Sequence, residues 1–295
     1  MSDFRTVLVA SGLRPREIVA DGKWRRCSTE DHPKKRNGAY RLDFDGRRGW
    51  WRNWAVDDGV NFWSDGNSSA RPIDEAKLRA QRDADRRKRV EAIRGARRFW
   101  DRASACSRLH PYLGAKALSA LGTLGLRERD DLLVIPVRWR DRLISVQTIH
   151  PDGTKRFWPG APVKGGCHVL ERQRPALTCI CEGLATGLAI FQSVRMARVV
   201  VAFDAGNLLP VVQEMRPHGT VVLCADNDYG TQARRGTNPG IEKARNAAEL
   251  IDAGVAFPEG ISGTDWADAL KEWGQAGPRR IERLIHAGGR YVCAP

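Results

Sequence analysis

The sequence predicts an α/β protein: a parallel sheet with flanking helices, preceded by a basic α+β subdomain and a small β-rich N-terminal module. Three observations carry this expectation. Between residues 176 and 295, near-continuous apolar runs at 177–181, 198–203 and 220–225 alternate with helical stretches, the pattern of a parallel sheet covered on both faces. Upstream, the runs 132–137 and 143–149 are joined by Arg140-Asp141-Arg142 and read as a hairpin. The charge is also divided. The 295 residues hold 49 Lys and Arg against 35 Asp and Glu, a net charge of +14, yet residues 176–295 carry 12 basic and 13 acidic side chains. The whole basic excess therefore lies in the first 175 residues.

Taken in order, residues 1–70 form the N-terminal module. The alternating run 39–44 ends at the turn signal Asp45-Gly46, and short strands follow at 50–54 and 61–63. Five of the ten tryptophans fall here (Trp24, Trp50, Trp51, Trp54 and Trp63), interleaved with Lys23, Arg25, Arg26, Arg47, Arg48 and Arg52. Aromatic rings beside cations stack bases and hold the backbone of a single strand, so Trp50, Trp51 and Arg52 are candidate DNA contacts. Small β modules also fill their cores with tryptophan, and two neighbours on one strand cannot both point inward. Residues 71–108 read as a charged connector, a single helix over 74–107 with Gly95 its weak point. Residues 109–175 add the hairpin, the turn Pro151-Asp152-Gly153 and a basic glycine-rich stretch that lacks the GxxxxGK[ST] phosphate loop. In 176–295, helices are expected at 184–194, 208–215 and 240–252.

Composition narrows the functional classes. A length of 295 residues suits about two domains, and 42% apolar residues suffice for packed cores. The basic excess favours a polyanionic partner. No apolar run approaches the roughly 20 residues of a spanning helix, so no membrane association is expected. The N-terminus does not read as a signal peptide. Seven cysteines without a CxxC argue against a disulfide framework, and the protein is expected to be cytoplasmic.

Each of the three apolar strands runs into an acid: Glu182-Gly183, Asp204-Ala205-Gly206-Asn207 and Asp226-Asn227-Asp228. Ligands of open α/β sheets collect outside the carboxyl ends of the strands. Glu182, Asp226, Asp228 and Asp204 are thus candidates for one crevice. Clustered carboxylates repel unless a divalent cation neutralises them, and an all-oxygen donor set suits Mg²⁺ or Mn²⁺. An acid directly after a strand also serves as a helix N-cap, a role open for Asp204 above all.

Glu182-Gly183 after one strand and Ala225-Asp226-Asn227-Asp228 after another resemble the Toprim fold of bacterial-type primases, topoisomerases and some nucleases. His110-Pro111-Tyr112-Leu113, Val134-Ile135-Pro136-Val137, Gln147-Thr148-Ile149, Asp152-Gly153-Thr154-Lys155, Gly165-Gly166 and the late run Gly263-Thr264-Asp265-Trp266-Ala267-Asp268-Ala269-Leu270 extend the likeness to plasmid- and phage-type primases. The likeness covers roughly residues 105–272, and the N-terminal tryptophan-rich pattern extends it loosely. It implies a nucleotidyltransferase that makes short primers on single-stranded DNA. Glu182 would act as general acid/base or metal-positioning carboxylate, and Asp226 and Asp228 would bind Mg²⁺ or Mn²⁺, two ions in all. Lys116, Lys155, Arg156 and Lys164 would track template and nucleoside triphosphate. A replicative helicase would be a separate partner. Asp265 and Asp268 are left between metal contact and helix capping.

Primases of this type usually begin with a zinc ribbon. Residues 1–70 hold one cysteine, Cys27, and one histidine, His32, too few for a four-ligand site, so no zinc is expected. Two other readings stay open: a Toprim-type metal-dependent nuclease, using the same acids on water, and a non-catalytic DNA-binding replication factor.

Overall fold

The computed structural model describes residues 3–56, 59–66, 75–107, 110–118 and 125–293, with the side chains of 75, 77 and 78 excepted. The expected boundaries at 70/71 and 108/109, and the expected helix start at Asp74, lie outside these residues. The chain forms two compact units, Met1–Ala84 and Asp85–Pro295.

The first unit is helix α1 (Phe4–Ala10) on an antiparallel sheet in sequential order, β1 (Leu13–Arg14), β2 (Arg25–Thr29), β3 (Gly38–Leu42), β4 (Arg48–Asn53) and β5 (Asn61–Ser64). Phe4 and Leu8 pack on Leu13, Cys27, Tyr40, Leu42 and Trp51, one residue in two along each strand. Strand β2 escaped the sequence pattern because Arg-Arg-Cys-Ser-Thr is too polar to read as a strand; it is held by pairing Arg25 with Tyr40 and Cys27 with Gly38.

Helix α2 (Glu75–Asp101) leads into the second unit. It ends six residues before the expected position, because Ser104 and Ala105 leave the helix to pair with Glu128 and Arg127. Gly95, the weak point of the sequence, lies against the Trp158 ring, where an added Cβ would come within 3.0 Å of Nε1.

A five-stranded antiparallel sheet follows: β6 (Ser104–Ala105), then, after helix α3 (Pro111–Ala115), β7 (Arg127–Arg129), β8 (Leu132–Trp139), β9 (Arg142–Ile149) and β10 (Lys155–Phe157), in the order β10-β9-β8-β7-β6. The expected β8–β9 hairpin turns at Arg140 and Asp141, both with positive φ (45° and 63°), as a two-residue hairpin requires. Val134, Leu143 and Val146 face Trp100 of α2, whereas Leu133, Ile135, Val137 and Ile149 join the core of the following sheet.

The last sheet holds β11 (His168–Leu170), β12 (Leu177–Cys181), helix α4 (Leu184–Ser193), β13 (Ala197–Val201), helix α5 (Leu208–Met215), β14 (Gly219–Cys224), helices α6 (Tyr229–Arg235) and α7 (Pro239–Glu249), β15 (Gly254–Ala256), helices α8 (Trp266–Trp273) and α9 (Gly277–Gly288), and β16 (Arg290–Val292). Strands β13, β12, β14 and β15 run parallel; β11 and β16 are antiparallel additions at the two sides, so the sheet is mixed rather than purely parallel. Helices α4, α8 and α9 cover one face and α5 and α7 the other.

Candidate active site

The three central strands end in step. Cys181 pairs with Val201 on one side and Cys224 on the other, so Glu182, Asp204 and Asp226 leave the same edge of the sheet. Cys179, Cys181 and Cys224 fill the sheet core behind them.

Glu182 is half-buried, and its Oε1 has no hydrogen-bond partner. Burial and the nearby Asp228 push its carboxyl up to about 7, against the opposing pull of the Asp226 backbone N–H and Lys243. Burial likewise lifts Asp226 well above the usual carboxylate range, with Glu182 and then Asp265 adding to it, although Thr186 Oγ1 donates to its Oδ1 at 2.9 Å. Asp228 precedes α6 without capping it through its side chain.

The backbone carrying Asp226 and Asp228 is held on every side. Ala225 N donates to Ala256 O (2.9 Å), Asn227 N to Thr264 O (2.8 Å), and Asp228 N to Asn238 Oδ1 (3.2 Å). Asn227 Nδ2 reaches Pro258 O, Asn238 Nδ2 reaches Asn227 Oδ1, and the buried Trp266 Nε1 donates to Ala225 O. Gly240, in the first turn of α7, has no room for a side chain: a Cβ would collide with the Asp226 carbonyl and stand 3.2 Å from Glu182 Oε1.

Asp204 is exposed and precedes a short 3-10 turn, Ala205–Asn207, which its side chain does not cap. The residue before it, Phe203, has φ +74°, a conformation that costs a bulky side chain free energy and that clusters at functional sites. Asp204 is close enough to raise Glu182, though as the weakest contributor.

Of the expected basic residues, Lys155 lies beside Gly183, the residue after Glu182. Its Nζ lies 3.7 Å from where a Cβ on Gly183 would stand. On β10, Lys155 and Phe157 share a face, and Phe157 meets Phe203 edge-on at 5.8 Å. Arg156 points to the opposite face. Lys164 is exposed beside Gly165, whose N–H donates to Asn207 Oδ1 at 2.7 Å, so it borders the Asp204 turn. Lys116 departs from expectation. Its Nζ is held by Asp268 Oδ1 (3.1 Å) and Asp265 Oδ2 (3.5 Å), and Asp265 in turn caps α8 by accepting from Asp268 N at 2.7 Å. Its ammonium is thus partnered by two carboxylates 149 and 152 residues away in sequence.

In the N-terminal unit, alternation separates the candidate rings. Trp51 is buried against Phe4, and the expectation that it contacts DNA is corrected to a core role. Trp50 lies on the outer face beside the exposed Phe62 (centroids 5.4 Å apart), with Arg41 over its ring. Arg52 and Arg26 flank Trp54 at 5.4 and 4.1 Å on that face. Cys27 belongs to the core of this unit.

Among the described residues, no three His, Cys, Asp or Glu side chains stand close enough to hold an ion together. The donor chemistry nevertheless fits a hard divalent cation: Glu182 presents a buried oxygen without a partner, Asp228 raises the proton affinity of Glu182, and Glu182 raises that of Asp226. Thr186, Asn227, Asn238, Gly240 and Lys243 were missed by sequence reasoning. Only Asn238-Pro239, an N-cap followed by proline at the first helical position, carried a legible signal.

Residues 177–276 match the Toprim domain family. This part of the chain is a Toprim domain. Over 308 aligned positions the chain is 30% identical to DNA primase TraC of Escherichia coli, an alignment covering 98% of this chain and 28% of that protein. A second match to DNA primase TraC of Escherichia coli is 33% identical over 157 residues, covering 50% of this chain and 11% of the relative. The chain thus spans less than a third of the curated relatives it matches. Among solved structures, a chain from the bacteriophage T7 lagging-strand DNA polymerase complex with primase domains superposes with a TM-score of 0.44 at 14% identity, over 64% of this chain and 94% of that one. A DnaG primase catalytic domain bound to single-stranded DNA superposes at 0.43 and 14% identity, over 70% and 80%. The Toprim domain ends its three central strands in Glu182, Asp204 and Asp226. No helix of the described residues is long and apolar enough to cross a membrane.

Proposed function

We infer that the chain is a DNA primase, a nucleotidyltransferase of the plasmid or phage type that joins nucleotides into short primers on single-stranded DNA. The observation that carries this reading is the unpartnered Glu182 Oε1 at the strand ends, whose carboxyl feels Asp228 and Lys243, with the Lys155 ammonium beside Gly183.

Asp226 and Asp228, with Glu182, would hold Mg²⁺ or Mn²⁺, two ions on this reading. A metal held there would supply neutralisation of phosphate charge and a lowered pKa for the attacking hydroxyl. Glu182, at the strand ends beside Asp228, would take the proton as the 3′-oxygen bonds to the α-phosphorus and pyrophosphate leaves. Asn227 and Asn238 fix the acidic loop, so the carboxylates need no reorganisation during the reaction. Lys155 faces the strand ends and would meet the triphosphate, with Lys164 at the rim. The outer face of the N-terminal sheet, through Trp50 and Arg52, would stack and grip the template. A replicative helicase would act as a separate partner, in the cytoplasm.

Labelled-nucleotide incorporation on single-stranded DNA with Mg²⁺ or Mn²⁺ tests this. Wild type yields short products, and Glu182→Gln loses at least about a hundredfold while binding DNA normally. Glu182-dependent degradation of the DNA in place of synthesis makes the protein a nuclease. Tight binding with neither activity makes it a replication factor.

A further inference from the structure

Lys116 is the one expected phosphate ligand that the fold commits elsewhere, and its surroundings suggest what it does instead. It follows α3, a short helix started by His110, whose Nδ1 accepts from Tyr112 N while its Nε2 meets Asp131 O in the β7–β8 turn. Tyr112 and Leu113 are buried in the core shared with the Toprim sheet. Lys116 therefore projects from an element fixed to the antiparallel sheet.

At the other end of its side chain lies the start of α8. Asp265 and Asp268 bind the ammonium, and Asp268 Oδ2 also accepts from Thr264 N at 3.2 Å. Gly263 packs so tightly on Asp268 that a Cβ there would collide with its side chain. The two residues flanking Asp265 are among those that hold the acidic loop: Thr264 O accepts from Asn227 N, and Trp266 Nε1 donates to Ala225 O. The ion pair and the loop are thus joined through consecutive residues.

We propose that Lys116 is a positioning residue, a latch by which the basic subdomain fixes the α8 cap and, through Thr264 and Trp266, the backbone that carries Asp226 and Asp228. The latch holds the metal-facing carboxylates in register with the β8–β9 sheet, which bears Lys155 on its edge strand. The activity arm of the test rests on the primase reading; the exchange arm does not.

The exchange arm uses the full chain without nucleotide or added metal. Amide hydrogen exchange at residues 225–228 and 264–268 should quicken about fivefold in Lys116→Met, the factor matching loss of a half-exposed ion pair. Strands β3 and β4 should exchange as in wild type, and Lys116→Arg should restore protection. Should Lys116→Met fail to fold by circular dichroism, Asp268→Asn loosens the same segments. In the activity arm, Lys116→Met raises the Mg²⁺ concentration for half-maximal synthesis about fivefold and leaves the apparent KM for nucleotide unchanged. Unchanged exchange at 225–228 overturns the latch, as does a raised nucleotide KM with unchanged Mg²⁺ dependence, which makes Lys116 a phosphate contact. A wild type that synthesises no primers removes the primase reading alone, and the exchange result still decides the latch.

Discussion

At the scale of single residues, Glu182 concentrates the chemistry. Its folded carboxyl titrates at about 7, against about 4.5 for an ordinary glutamate, first because it is buried and then because Asp228 stands near. The folded chain therefore holds this proton more tightly than the unfolded chain. The native state binds more protons between pH 4.5 and 7, so stability falls as pH rises through that window and levels off above it. The contribution is on the order of 2 kcal/mol at most, since the side chain keeps some contact with water. The expected result is a Tm that drops from pH 5 to pH 8 in chelator by more in wild type than in Glu182→Gln. Mg²⁺ at pH 8 recovers much of the drop in wild type and little in the variant. Parallel Tm curves for the two proteins would show that Glu182 does not carry a displaced titration.

Elements decide what a residue type means, and β4 is the sharpest instance. Trp50 and Trp51 are indistinguishable by composition, but the pleat sends one to each face, and α1 lays Phe4 against Trp51. Trp51→Ala should destabilise the N-terminal unit by about 3–5 kcal/mol, seen as an earlier unfolding transition. Trp50→Ala should leave that transition in place and weaken single-strand binding by about 1–3 kcal/mol, read by fluorescence titration. Normal DNA binding by Trp50→Ala would remove the outer face from the interface. The two faces of β4 also show what the sequence made legible. Alternation said that the rings must part, yet which one turned inward depended on Phe4, some 47 residues away. The acids at 182, 204 and 226 were legible because an apolar strand followed by an acid fixes position by local chain geometry alone. The Lys116 pair was not, since nothing local links residue 116 to 265 and 268. Gly240 was equally silent, its need set by a carbonyl on another element rather than by its own backbone. The antiparallel partners β11 and β16 are three residues each, too short to stand out as strands.

For the molecule as a whole, the net charge of +14 is unevenly spread: the Toprim part is nearly neutral, and the excess precedes residue 175. On the primase reading, grip on a phosphate backbone and metal-dependent chemistry would thus fall to different stretches of chain. If Lys155, Lys164, Arg26, Arg41 and Arg52 each neutralise one phosphate, counterion release sets a logarithmic salt slope of about −3.5 for single-stranded DNA. Affinity for an oligothymidylate should then fall roughly a hundredfold between 50 and 200 mM salt. Because those cations are not the candidate metal ligands, chelation should leave both the affinity and the slope unchanged while abolishing synthesis. Replacing Lys155 and Lys164 together by alanine should make the slope shallower by about 1.4, two phosphates' worth. A slope near −1 in the wild type would mean that the basic excess is solvated surface. Loss of DNA binding in chelator would mean that the acidic strand ends, through their metal, supply the grip as well as the chemistry.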